Sequence, residues 1–137
     1  MSWESYGLDR YAQELVLAAK KRSPDSLNQS HKMRLAVAYG LERFWGEQLR
    51  LAGDRDRKDV YWREVWAILV RVMAKAGMTI PNDSIPASQD RNDRAQTEAI
   101  ETMSQKLWNL SLEEQRVSLA VLSELCDALV WWTQRYK

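Results

Sequence analysis

The chain has 137 residues, enough for one domain with one modest core. Its 20 Lys+Arg stand against 19 Asp+Glu, and a net charge of +1 gives no global field toward nucleic acid, membrane or acidic substrates. One Cys excludes an intramolecular disulfide and a cysteine-rich zinc site, and one His excludes a His–His metal site.

The hydrophobic pattern is helical almost throughout, punctuated by only five Gly and three Pro. A first helix is expected from residue 8 to 22. Leu8, Tyr11, Ala12, Leu15 and Ala19 share one face, and Lys20, Lys21 and Arg22 in the last turn complement the helix dipole. Ser23-Pro24-Asp25 ends it.

A second helix is expected from about 30 to 52, with Leu35, Ala38, Leu41, Trp45, Leu49 and Ala52 inward and Gly53 as its stop. Gly40 and Gly46 lie inside it, each costing roughly 1 kcal/mol relative to Ala, which points to a close helix contact or a bend. The turn 53–59 is polar, and a third helix follows to about Ala76 with Val65, Trp66, Leu69, Val72, Met73 and Ala76 inward.

Residues 78–90, MTIPNDSIPASQD, form a linker, with Ile80 and Ile85 as its anchors to the core. A weaker amphipath follows from about 92 to 108 through Ala95, Ala99, Ile100, Met103 and Leu107. Ser111-Leu112-Glu113-Glu114 has the form of a capping box and opens a fifth helix to about Tyr136, some 37 Å long at 1.5 Å per residue. Its stripes, Val117-Val121-Leu125-Ala128-Trp132 and Leu119-Leu122-Cys126-Leu129, cover more than one face. Such a helix is a central pillar, a partner-covered surface, or both. The expected fold is all-α: a compact bundle of about five helices in a single domain, 1–137, closed by a long apolar helix.

No apolar run (15–19, 65–70 and 128–132 are the longest) reaches the roughly 18–20 residues a membrane span needs. The first 20 residues lack a basic start before a long apolar run. With one Cys, the expected compartment is cytoplasmic.

Tryptophan and arginine carry the functional signal. Trp supplies stacking faces and Arg phosphate forks, the usual means of holding single-stranded nucleic acid. Trp is equally core material: Trp45, Trp66 and Trp132 lie on apolar stripes, whereas Trp3, Trp62 and Trp131 are expected to be partly exposed. Residues 1–77 hold 14 Lys+Arg against 10 Asp+Glu, and residues 78–137 hold 6 against 9. A basic side built by Lys20, Lys21, Arg22, Lys32, Arg34 and Arg50 is the candidate nucleic-acid contact. Trp131 and Arg135, one turn apart near the end, are the candidate partner interface.

Other chemistry is thinly represented. Glu98/Glu101 and Glu124/Asp127 form two E-x-x-[ED] pairs, which resemble the Mg²⁺ ligands of the all-helical nucleotide pyrophosphohydrolases. Those enzymes carry a denser acidic run, and exposed helix charge is the better account. His31 reads as a surface residue and Cys126 as a buried, inert thiol. No catalytic residue, metal or cofactor is expected.

The ending Leu129-Val130-Trp131-Trp132-Thr133-Gln134-Arg135-Tyr136 resembles the small helical subunits of type III CRISPR effector complexes, which close with a long helix ending in W-x-x-R-[FY]. Trp132, Arg135 and Tyr136 stand in those places, and Tyr11-Ala12 resembles an early helix with Tyr and small residues. Thr133, where an apolar residue is usual, and the Trp-rich middle depart from the pattern. The resemblance implies a non-enzymatic subunit of a ribonucleoprotein involved in antiviral defence. Such a subunit lines guide and target nucleic acid with basic residues and stacks on its neighbours, so its partners are other protein subunits and RNA. The alternative is a helical protein-interaction or dimerisation module with no nucleic-acid role. The excess of apolar surface suits self-association in either case.

Overall fold

Several helix ends in this chain are set by glycine, proline and one capping box. The computed structural model describes residues 7–86 and 94–137. Helix α1 spans Leu8–Arg22 and buries Leu8, Ala12, Leu15, Val16 and Ala19. Extended Ser23 stops it, and Pro24 opens a 3-10 turn, Pro24–Asn28, suited to the proline's fixed φ.

The expected second helix is two helices. Helix α2, Gln29–Ala36, runs into a 3-10 turn at Val37–Tyr39, and α3, Leu41–Arg50, starts after Gly40. Gly40 adopts φ 97°, a conformation that side-chain-bearing residues rarely take. The chain turns there, and α3 delivers Leu41, Phe44 and Trp45 to the core. The same turn leaves Leu35 70% exposed and Ala38 exposed, while Ala52 and Ala76 are exposed just beyond helix ends, so these four expected core positions lie on the surface.

Helix α4, Lys58–Lys75, buries Tyr61, Trp62, Val65, Trp66, Leu69, Val72 and Met73. Trp62, expected to be partly exposed, is 2% exposed: its indole N–H donates to Gln29 Oε1 at 2.9 Å, which removes the cost of burying it. Beyond α4 the chain crosses the core with Ile80 buried and Ile85 packed against the cluster. Trp66 Nε1 donates to the Pro81 carbonyl at 3.1 Å and holds this crossing. Residues 87–90 of the expected linker lie outside the described residues, as does Trp3.

Helix α5, Arg94–Trp108, contributes Met103, Ser104 and Leu107, and its Ala95 is exposed. The capping box forms as read: Glu114 N donates to Ser111 Oγ at 3.1 Å and Ser111 N to Glu114 Oε1 at 2.9 Å. Helix α6, Leu112–Tyr136, is the pillar that α1, α2, α3 and α4 all touch, α1 most extensively.

Its inward seam runs Ser118, Val121, Leu122, Leu125, Cys126, Leu129 and Thr133. The expected stripe ended instead on Trp132, which is half-buried at the margin. Thr133 takes the core position because its hydroxyl has a partner: Ser30 Oγ lies 2.6 Å from Thr133 Oγ1 and 2.6 Å from the Tyr61 phenol. Three buried hydroxyls from α2, α4 and α6 satisfy one another. Burial pushes the Tyr61 phenol up to about 12, against the opposing pull of its two hydroxyl partners. The molecule is thus an all-α bundle of six helices among the described residues, the sixth helix arising from the break at Gly40.

Candidate nucleic-acid and partner interface

The last two turns of α6 place Trp131 and Arg135 on one face and Trp132 and Tyr136 on the next, since residues four apart are helix neighbours. The Arg135 guanidinium lies 4.0 Å from the Trp131 ring centroid. Trp131 meets Trp132 edge-on at 4.7 Å, and Trp132 stacks on Tyr136 at 5.8 Å with 13° between the planes. From α1, Lys20 Nζ stands 5.9 Å over the Tyr136 ring, and Gln13 Nε2 donates to the Tyr136 phenol at 3.0 Å. The result is one unbroken run, Arg135–Trp131–Trp132–Tyr136–Lys20, with a cation at each end.

Trp131 is 47% exposed, and Arg135 and Lys20 are exposed. Leu17, also exposed, falls between Gln13 and Lys20 on their face of α1 and extends the apolar border. The cations complement the negative ends of two helix dipoles, in the last turns of α1 and α6. The two end rings, Trp131 and Tyr136, each carry a cation–π contact, a geometry worth about 0.5–1 kcal/mol at exposed sites.

The other candidates divide by their partners. Lys21 and Lys32 are exposed. Arg22, with 18% of its side chain exposed, lies 2.8 Å from Glu64. The two are close enough to pair as ions but misaligned as a hydrogen bond, so the contact is Coulombic. Arg34 pairs with Asp127. Arg50 grips Glu47 through three contacts of 2.7–3.0 Å, and that hydrogen bonding raises its pKa further.

Ser23 Oγ donates to Asp56 Oδ1 at 3.0 Å, which brings the basic turn of Arg55, Arg57 and Lys58 to the end of α1. The acids interspersed there have local work: Asp54 Oδ2 accepts from the backbone of Asp56 and Lys58, and Asp59 faces Arg63 at 3.8 Å.

Glu98, Glu101, Glu124 and Asp127 are all exposed, and no group of three or more His, Cys, Asp or Glu side chains converges among the described residues. His31 is exposed, and Cys126 is buried with its thiol pushed up by burial. Among the described residues no helix is long and apolar enough to cross a membrane.

Sequence reasoning found Trp131 and Arg135 but not their link to α1. The i, i+4 pair Trp132/Tyr136 was the available signal; that Lys20 and Gln13 meet Tyr136 is a tertiary fact. No protein-family model, no curated protein and no solved structure matches this chain.

Proposed function

We propose that the chain is a structural subunit of a CRISPR-type ribonucleoprotein, holding single-stranded guide or target RNA along its basic side and stacking on neighbouring subunits. The observation that carries this reading is the cation–aromatic run at the end of α6. Bases stack on indole and guanidinium planes alike, while Lys20, Lys21 and Arg135 meet phosphates. The W-x-x-R-[FY] ending that carries the family resemblance supplies three of the five members of the run. Stacking is supported by a second apolar patch, exposed Trp108 and Leu112, at the opposite end of α6. Trp131 lies 19 residues beyond Leu112, about 28 Å along the helix.

The alternative, a helical interaction module without nucleic acid, rests on the same Trp131/Arg135 pair acting as a protein anchor. Purification of the native protein from its host, with sequencing of any RNA it carries, separates the two. Short RNA released together with neighbouring subunits is the expected result. An RNA-free self-associated species favours the alternative.

A further inference from the structure

The break at Gly40 creates a groove of about 500 Å³ between α2 with its 3-10 extension and α3. Buried Trp62 lies at its floor. Leu35 and Tyr39, one turn apart and each 70% exposed, form its lip. The α3 wall is low at Gly46, where no atom lies within 4 Å of the position a Cβ would take. Two neighbouring large apolar side chains this exposed mark an interaction surface.

The charges around the groove are unevenly satisfied. Glu47 is held by Arg50, and Glu42 accepts from Ser104 Oγ at 3.4 Å. Lys32 and Arg43 line the same groove, and neither forms an ion pair among the described residues. Arg43 instead lies 5.8 Å over the Tyr39 ring. Glu42 also forms no ion pair among the described residues, so the apolar floor sits beside an unpaired charge of net +1, two cations against one carboxylate.

We infer that this groove docks an acidic amphipathic helix of a partner protein, its apolar side chains over Trp62 and Tyr39 and its carboxylates against Lys32 and Arg43. Small-molecule sites enclose most of their ligand. A groove whose Leu35–Tyr39 lip is so exposed and whose α3 wall is low covers one side of its occupant, which suits a helix laid into it. The Glu42 and Glu47 carboxylates on the wall repel a polyphosphate strand but tolerate a segment with a few acids. None of these residues belongs to the run at the end of α6.

The test uses the full chain and a random 16-residue peptide library displayed on phage. Enriched peptides should be net acidic, with apolar residues at helical spacing. Tyr39→Ser and Arg43→Glu, both at exposed positions, should each weaken the best peptide by about tenfold or more. The double variant Lys32→Glu/Arg43→Glu should instead prefer a copy of that peptide with Lys in place of Glu. The proposal is overturned if nothing is enriched, if the enriched peptides are basic, or if the variants bind as the parent does. It is also overturned if a single-stranded RNA oligonucleotide, rather than the peptide, loses binding on Tyr39→Ser.

Discussion

Two tryptophan pairs put the same residue to opposite uses. Trp62 and Trp66 stand four apart on α4, so one face carries both into the core, where Phe44 packs at 4.8 and 6.3 Å from their ring centroids. Each indole N–H has an acceptor, Gln29 Oε1 and the Pro81 carbonyl. Trp131 and Trp132 are adjacent, about 100° apart on the helix, so the core cannot take both. It takes neither fully, because Leu129 and Thr133 occupy the seam. The Trp132 indole N–H has no acceptor among the described residues, and the pair contacts cations and other rings. Aromatics one turn apart with acceptors build the core; adjacent aromatics at a helix end among cations build a surface.

Substitutions sharpen this contrast in graded steps. Trp66→Ala, at a fully buried ring, should cost about 3–5 kcal/mol in chemical denaturation, the largest single effect. Trp132→Ala, at a half-buried ring, should cost about 2 kcal/mol, scaled to its smaller buried area. An equal loss at both positions would erase the distinction between the two pairs.

Tyr61→Phe should cost about 1 kcal/mol near pH 7, because Ser30 and Thr133 still satisfy one another. The same variant has a signature at high pH. The folded-state pKa of Tyr61 is raised to about 12, above the unfolded value near 10. Its contribution is therefore complete below pH 10 and is lost as pH rises toward 12, by up to about 3 kcal/mol. Denaturation of the Phe variant at pH 8 and pH 11 should lack this part of the loss. Trp131→Ala should change stability least, by about 0.5–1 kcal/mol, the worth of its exposed cation–π contact with Arg135. A thermal melt that drops as far as that of Trp132→Ala would place Trp131 in the core.

Most of the core was legible from periodicity. Leu15, Leu41, Trp45, Trp66, Leu69, Val121, Leu122, Leu125 and Leu129 are all buried, and α1 and the Ser111 capping box fall where the spacing places them. Three features were not legible. Gly40 signalled the bend itself, but the 3-10 turn at Val37–Tyr39 carries the apolar rhythm up to it, so the exposure of Leu35 depends on where α3 packs. The burial of Thr133 depends on Ser30, 103 residues earlier, and that of Trp62 on Gln29; neither polar partner shows in a hydrophobic pattern. At the surface, the Trp131/Arg135 pair is a local spacing and was readable. The placement of Lys20 over Tyr136, which completes the run, is a consequence of how α1 packs on α6.

The central claim is that the run at the end of α6 binds single-stranded nucleic acid. Fluorescence anisotropy of a labelled single-stranded RNA oligonucleotide, measured across a salt series, tests it most directly. Trp131→Ala should weaken binding by about 1–3 kcal/mol, the range for loss of one stacked base, while leaving the salt slope unchanged. Lys20→Ala/Lys21→Ala should flatten that slope by about 1.4, since each single-strand phosphate contact contributes about 0.7. Arg22 stays in place in that variant because it pairs with Glu64. Wild-type affinity and slope in both variants, or no RNA binding by the parent chain at low salt, would contradict the account.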